Sequence, residues 1–140
     1  MADDFYELSV SRHTDKLIAV VEDDPDLADL FRDSMKDQAH WRLLFFPDGQ
    51  IAKNTLPELQ PDLILLDVGL PNLDGGSLYK ILRGHSRTRH TPIIVITGSH
   101  DWELRRMGLQ TGLFLRKPFK LQELLFIMHA LLGEDVDGSG

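Results

Sequence analysis

Five short apolar runs alternate with five segments of helical periodicity along this chain of 140 residues. After the first run, Leu27, Leu30 and Phe31 recur at helical spacing. Asp24 and Pro25 precede them, and this pair is typical of a helix start, because Asp caps the first turn and Pro fits the first helical position. The predicted strands are Leu17–Val21, Trp41–Phe46, Leu63–Leu66, Ile93–Ile96 and Leu113–Arg116, and the predicted helices are Pro25–Lys36, Gln50–Leu59, Ser77–Arg83, Trp102–Leu109 and Leu121–Leu132. Consecutive strand–helix units predict an α/β fold, in which helices cover both faces of a parallel sheet.

The predicted boundaries leave one domain between two short ends. A chain of this length fits one ordinary domain with a single core. Residues 1–15 are predicted to form a flexible N-terminal arm, residues 16–133 the domain, and residues 134–140 a disordered tail or the stub of a linker. Because the chain has no cysteine, disulfides and thiolate metal sites are excluded.

The charge of the chain argues against direct binding of nucleic acid. The net charge is −7, whereas phosphate contacts need clustered Lys and Arg. Arg83, Arg87, Arg89 and His90 do cluster, but their segment is polar and is predicted to be a solvated loop. The first residues, Met1–Tyr6, carry acids where a secretory signal carries bases, and no apolar run is as long as a membrane span. We therefore expect a cytoplasmic protein without membrane contacts.

Several polar side chains stand where predicted strands end. Glu22 and Asp23 follow the first strand, Asp67 the third, Thr97 the fourth and Lys117 the fifth. Ligands of such sheets bind at the carboxyl ends of the strands, so we expect these side chains to lie together. Two carboxylates about 4 Å apart repel by roughly 4 kcal/mol at an effective dielectric near 20. A hard cation relieves this repulsion, and oxygen ligands favour Mg²⁺ over Zn²⁺.

This set of residues suits the acceptance of a phosphoryl group. An Asp carboxylate beside Mg²⁺ can attack phosphorus and form an aspartyl phosphate. Lys117 could neutralise the charge of the transferred group, and the Thr97 hydroxyl could donate a hydrogen bond to it. Taken singly, Glu22 and Asp23 could begin a polar loop, Thr97 could be an ordinary strand end, and Lys117 an ordinary surface lysine. Their joint position favours the phosphoryl-accepting site.

Six short motifs carry a resemblance to a known family. They are Ala19–Pro25 (AVVEDDP), Phe46–Gly49 (FPDG), Pro61–Asp67 (PDLILLD), Leu70–Gly75 (LPNLDG), Ile96–Gly98 (ITG) and Lys117–Phe119 (KPF). In this order, they make residues 16–133 resemble the response-regulator receiver domain of two-component signalling, including the receivers of chemotaxis.

The resemblance implies a doubly wound, flavodoxin-like fold, with a five-stranded parallel sheet of order 2-1-3-4-5. It implies that Asp67 is the phosphoacceptor, that Asp23 binds Mg²⁺ directly, that Glu22 acts through water, and that the Gly69 carbonyl completes the protein ligands. The phosphoryl donor would be a histidine kinase or a histidine phosphotransfer protein. The chain would not be an enzyme in the usual sense, because it would catalyse only its own phosphoryl transfer and dephosphorylation.

The resemblance also implies a conformational switch. Thr97 and Lys117 would contact the phosphoryl oxygens, and the bond between Lys117 and the following proline is typically cis in this family. Phe114 stands at the position of an aromatic switch residue, so phosphorylation would draw in Thr97, repack Phe114 and reshape the face formed by helix 4, strand 5 and helix 5. Phe126 and Ile127 of the fifth helix are surplus to the core, which suggests a surface for a downstream partner or a homodimer on that face.

Other interpretations fit the sequence less well. A haloacid-dehalogenase phosphatase would need a second Asp where Gly69 stands, and the first loop of a flavodoxin would repel its phosphate through Glu22 and Asp23. The alternative that stays open is a receiver-like interaction module that is never phosphorylated. The interval from Thr97 to Lys117 is slightly shorter than in most receivers, which predicts a shortened fourth helix or exit loop.

Overall fold

The computed structural model describes residues 15–70, 72–98, 100–109 and 113–134, within which five parallel strands form one sheet of order β2-β1-β3-β4-β5. The strands are β1 (Lys16–Val21), β2 (Trp41–Phe46), β3 (Leu63–Asp67), β4 (Ile93–Thr97) and β5 (Leu113–Arg116). The helices are α1 (Pro25–Met35), α2 (Gly49–Leu59), α3 (Gly75–Gly84), α4 (Asp101–Arg106) and α5 (Leu121–Leu131). The predicted fold class and strand order are confirmed.

Helices cover both faces of the sheet because successive strand residues point to opposite sides. One face carries a buried cluster to which β1, α2, α3 and α4 contribute Ala19, Val21, Leu56, Leu78 and Leu104. The other face carries a second buried cluster to which β1, α1 and α5 contribute Ile18, Val20, Phe31, Leu124 and Met128. With both faces covered, the central strands are apolar throughout and only their ends carry polar groups.

Most predicted boundaries agree with the structure to within one residue, but α3 and α4 do not. Helix α3 begins at Gly75 and not at Ser77, because Asp74 caps it by accepting the Ser77 N–H at 2.9 Å. Helix α4 ends at Arg106 and not at Leu109. There Gly108 adopts φ 79°, and the Leu109 N–H turns back to the Leu104 carbonyl, which closes the helix. Its six residues compare with ten or eleven in the other described helices.

The exposure of α5 agrees only in part with the sequence prediction. Leu124 and Met128 are fully buried, and Phe126 is 59% exposed, as predicted. Ile127 was also predicted to be surplus to the core, and this is wrong, since it is partly buried against the cluster on the α1 and α5 side. A helix packed in the groove between a sheet and a neighbouring helix buries more of its circumference than a single face.

The ends of the domain are tied to the edge strand β2. The Lys16 N–H donates to the His40 carbonyl at 2.7 Å, just before β2 begins. At the other end, Glu134 accepts the Trp41 indole N–H at 3.0 Å, and its carboxylate lies 3.0 Å from Nδ1 of His129. These contacts reach one residue beyond the predicted boundary at residue 133. The predicted arm, except residue 15, and the predicted tail, except residue 134, lie outside the described residues. None of the described helices combines the length and apolar character needed to cross a membrane.

Candidate functional site

Three carboxylates meet at the carboxyl edge of the sheet. Glu22 and Asp23 directly follow β1, and Asp67 is the last residue of the neighbouring strand β3. One carboxylate oxygen from each residue lies within 4.8 Å of the others. Glu22 and Asp67 are buried, whereas Asp23 is exposed. The structure therefore brings together the acidic cluster (Glu22, Asp23 and Asp67) that the strand ends predict.

Backbone groups fix the orientation of the two buried acids. The Glu22 N–H donates to the Phe46 carbonyl of β2 at 3.0 Å, which holds Glu22 at the sheet edge. Its Oε2 accepts the Asp24 N–H at 3.1 Å. On the other strand, Oδ1 of Asp67 accepts the Gly69 N–H at 3.1 Å. Each buried carboxylate thus has one backbone donor from the loop that follows it.

Those donors leave the charge of the cluster poorly compensated. Oε1 of Glu22 is buried and has no hydrogen-bond partner among the described residues. Burial, together with the neighbouring Asp67 carboxyl, raises the pKa of Glu22 from 4.5 to about 8. A proton held between the two carboxyls would relieve the repulsion, and so would a bound cation.

Lys117 and Thr97 complete the same edge of the sheet. Nζ of Lys117 lies 3.8 Å from Oδ2 of Asp67, and the lysine side chain is 38% exposed. The Lys117 N–H donates to the Thr97 carbonyl at 2.8 Å, which ties the end of β5 to the end of β4. Thr97 is fully buried, and the bond between Lys117 and Pro118 is cis. The 3.8 Å contact with Asp67 shows that the lysine turns its ammonium towards the acidic cluster, as the resemblance implies.

A comparison with known families agrees with this geometry. The model of the response regulator receiver domain matches residues 18–129. This segment contains all three members of the acidic cluster, together with Thr97 and Lys117. The chain belongs to this family. It is a receiver domain of two-component response regulators.

The curated relatives of this receiver include regulators of transcription. It is 34% identical over 122 residues to the DNA-binding response regulator MtrA of Mycolicibacterium smegmatis. The aligned segment covers 86% of this chain and 52% of MtrA. It is 36% identical over 117 residues to the transcriptional regulatory protein GltR of Pseudomonas aeruginosa. The aligned segment covers 82% of this chain and 48% of GltR. The chain spans about half the length of these curated relatives.

A solved structure supports the assignment at the level of coordinates. The receiver domain of a sensor histidine kinase from Pseudomonas aeruginosa matches with a TM-score of 0.77 and 31% identity, over 86% of this chain and 99% of that chain. That structure has a magnesium ion coordinated in its active-site cleft. The fold of the receiver is therefore shared over almost its whole length.

The acidic cluster of this receiver fits the requirements of Mg²⁺. All three side chains offer carboxylate oxygens, which are the ligands that hard divalent cations prefer. The unpartnered Oε1 of Glu22 adds a buried acceptor that a cation, or a water bound to one, could satisfy. The predicted fourth ligand, the Gly69 carbonyl, belongs to an exposed residue of the adjoining loop, and its role stays a prediction.

The predicted switch residue Phe114 lies on β5, and strand β4 separates it from β3 and the acidic cluster. It pairs in register with Val95 of β4. Its side chain is half-buried against the hydrophobic cluster on the α2, α3 and α4 side of the sheet. An aromatic ring that is neither fully buried nor fully exposed can repack in either direction, so the position suits the predicted role, which stays a prediction.

The sequence reasoning missed the residues that organise the loops around the site. Asp48-Gly49 and Asp74-Gly75 were recognised from the sequence only as parts of family motifs, but both aspartates are helix N-caps. Asp48 also accepts a hydrogen bond from Nδ2 of Asn72, in the loop that follows β3. An Asp directly before a helical segment was a signal for the caps. No sequence signal paired Asp48 with Asn72, because that contact joins two loops that are distant in the chain.

The basic residues of the α3–β4 loop lie away from the acidic cluster, at the other end of the sheet. Arg83 donates from Nη1 to the carbonyls of Arg89 and Thr91, at 3.2 and 2.6 Å, so it holds the loop together. Arg87, Arg89 and His90 are exposed. The prediction of a solvated loop is confirmed for these three residues.

Proposed function

We propose that this receiver accepts a phosphoryl group on Asp67 when Mg²⁺ is bound by Asp23, Asp67 and the Gly69 carbonyl, with Glu22 acting through water. The observation that carries the proposal is the meeting of three carboxylates within 4.8 Å, with the Lys117 ammonium 3.8 Å from Asp67. A structural ion pair would need only one acid for one lysine. The excess of negative charge is what a bound cation would offset.

In the proposed reaction, a carboxylate oxygen of Asp67 attacks the phosphorus of the donor. A new P–O bond forms, while the bond between phosphorus and the donor breaks and leaves its electron pair on the donor. The donor is a histidine kinase or a histidine phosphotransfer protein, whose leaving group is a histidine nitrogen. Lys117 neutralises the charge on the transferred oxygens, and the Thr97 hydroxyl donates a hydrogen bond to them. Bound Mg²⁺ would supply further charge stabilisation at the same oxygens.

The signal leaves the site through β4 and β5. Drawing the Thr97 hydroxyl towards the phosphoryl group changes the space beside Phe114, whose strand pairs with β4. The face of α4, β5 and α5 is the output surface in this proposal, and exposed Phe126 and Leu113 offer apolar contact area there. A downstream protein or a second copy of the receiver would bind this face.

The proposal limits the chemistry to the chain itself. The receiver catalyses its own phosphoryl transfer and dephosphorylation and turns over no separate substrate. Its place in the cytoplasm stays a prediction.

Incubation with Mg²⁺ and acetyl phosphate tests the central claim. The parent protein should gain one base-labile phosphoryl group, and peptide mapping by mass spectrometry should place it on Asp67. Asp67→Asn should gain none. Asp62→Asn is the matched control, because it makes the same chemical change before β3 begins, at the opposite end of the strand, and should be labelled like the parent.

Two outcomes would contradict the proposal. Absence of label on the parent protein would favour the interaction module that is never phosphorylated, and a label on another residue would show that Asp67 is not the acceptor. For the output face, sedimentation with and without beryllofluoride, a phosphoryl mimic, would show whether activation drives dimerisation.

A further inference from the structure

The described part of the β3–α3 loop, residues 68–70 and 72–74, is fastened to the start of helix α2. Nδ2 of Asn72 donates to Oδ2 of Asp48. The other carboxylate oxygen of Asp48 accepts the N–H groups of Gln50 and Ile51, at 2.7 and 3.2 Å. Asp48 therefore caps α2 and holds Asn72 with the same carboxylate. These donors, Asn72 foremost, keep the pKa of Asp48 below its usual value.

Close packing accompanies this hydrogen bond. A Cβ atom on Gly49 would lie 2.4 Å from the carbonyl oxygen of Leu73, so only glycine lets α2 approach the loop this closely. Further along, a Cβ atom on Gly75 would lie 2.3 Å from Cα of Val68. The second half of the loop is therefore pressed against α2 on one side and against the end of β3 on the other.

The conformation of Asn72 is specific to its place. Its φ of 67° lies in the left-handed region, which Asn tolerates better than most residues with a side chain. This conformation accompanies the turn of the amide towards Asp48. Substitution by glycine keeps such a backbone accessible and removes only the amide.

Gly69 lies in the other half of the loop and has no side chain to anchor it. It is exposed, and its described contact is the N–H that it donates to Oδ1 of Asp67 at 3.1 Å. Its neighbours Val68 and Leu70 are buried in the cluster on the α2, α3 and α4 side, so the position of Gly69 depends on that packing together with the hold on Asn72. A loop free at Asn72 would let the Gly69 N–H and carbonyl move relative to Asp67.

We infer that the Asp48–Asn72 pair is a positioning device for the phosphoryl site, since it holds the β3–α3 loop so that Gly69 stays aligned with Asp67. Neither residue touches the acidic cluster in the described contacts, and both act through the loop. The inference rests on the proposed function, because the alignment matters for Mg²⁺ and for the phosphoryl group. Partners that orient metal ligands in this indirect way are commonly worth a tenfold or larger effect on metal affinity.

Two substitutions break the pair without removing other functions of its members. Asn72→Gly removes the amide and allows the left-handed backbone. Asp48→Ser keeps an effective helix cap but is too short to accept from Asn72. Gln60→Gly is the matched control, because Gln60 also has positive φ, 49°, at the far end of α2.

Calorimetric titration with MgCl₂ measures the first consequence. We expect Asn72→Gly and Asp48→Ser each to weaken Mg²⁺ binding about tenfold, and Gln60→Gly to bind like the parent. The double variant should be no weaker than the singles, because both remove the same contact. In labelling with acetyl phosphate, the half-saturating Mg²⁺ concentration should rise about tenfold, while the rate at saturating Mg²⁺ stays near the parent's. Unchanged affinity in Asn72→Gly would overturn the inference.

Hydrogen exchange at the Gly69 amide, measured by NMR in metal-free protein, separates this inference from the proposed function. Asn72→Gly should speed that exchange several-fold, whereas Gln60→Gly should not. A parent protein that binds no Mg²⁺ and takes no label would contradict the proposed function, and the exchange rate would still decide whether the pair holds the loop. Equal exchange in the parent and Asn72→Gly would overturn the inference even if the parent is phosphorylated.

Discussion

Two groups of acidic side chains lie at the same edge of the sheet and behave in opposite ways. The capping acids, Asp48 and Asp74, accept backbone N–H groups at helix starts, and hydrogen bonds lower the pKa of both, chiefly from the Asn72 amide for Asp48 and from the Ser77 N–H for Asp74. In the acidic cluster the carboxylates face one another, and burial raises the pKa of Glu22 to about 8. The carboxyl group is the same in both places, so its behaviour follows from what surrounds it.

The difference separates structural acids from functional ones. A capping acid is satisfied by donors of its own chain, and its charge stabilises the fold. An acid of the cluster has too few donors, so its charge is costly, and either a proton or an external cation can remove that cost. Substitutions at three acidic positions probe this contrast, with expected effects that fall from the cluster to the caps.

The largest effect is expected for Asp67→Asn. At about pH 9, where Glu22 is ionised, removing the Asp67 charge should raise the metal-free free energy of unfolding by about 2 kcal/mol, as part of the roughly 4 kcal/mol expected for carboxylates near contact. It should also abolish the stabilisation by Mg²⁺. Urea unfolding with and without MgCl₂ measures both. Lower metal-free stability in the variant would mean that the Lys117 contact outweighs the repulsion, and the contrast with the caps would fail.

A comparable effect is expected for Glu22→Gln, and it should depend on pH. Because folding raises the pKa of Glu22, its contribution to stability is complete below the unfolded value of 4.5 and is lost as pH rises through about 8. Metal-free parent protein should therefore lose stability from about pH 5 to pH 9, by about 2 kcal/mol after solvent screening. The variant should lack this slope. Identical melting profiles for the two proteins across this range would show that Glu22 ionises as freely in the fold as in the unfolded chain.

The smallest effect is expected at the caps. Asp74→Ala should destabilise the protein by about 1 kcal/mol, because the Ser77 N–H loses its acceptor, and the loss should be the same with and without Mg²⁺. Asp74→Asn still caps and should cost little at neutral pH. Because the folded pKa of Asp74 is lowered, its contribution is present above the unfolded value of 3.8 and disappears as pH falls through the folded one. Part of the acid unfolding should therefore vanish in Asp74→Asn. A Mg²⁺-dependent loss would assign Asp74 to the site.

The sequence predicted what depends on strand order and residue type. Hydrophobic runs ending in Glu22, Asp67 and Thr97 indicate which side chains share the sheet edge, because parallel strands place their carboxyl ends together. Contacts between loops could not be predicted from the sequence. The hydrogen bond from Asn72 to Asp48 depends on the left-handed backbone of Asn72 and on the close approach of Gly49 to the Leu73 carbonyl. Neither feature leaves a periodic signal in the sequence.

The predicted end of helix α4 was wrong for a similar reason. The end of α4 depends on the left-handed conformation of Gly108, which a count of apolar spacing does not register. The partial burial of Ile127 depends on how closely α5 packs beside the sheet, which is a property of the assembled core. Where local pattern and tertiary packing agree, as in all five strands, prediction from the sequence succeeds.

The hydrogen bond from the Lys117 N–H to the Thr97 carbonyl couples the end of β4 to the end of β5. A force that displaces Thr97 cannot be absorbed by that residue alone, since its neighbour on β5 moves with it. Two strand tips would therefore travel together, and Phe114 sits on the same short strand that this movement would pull.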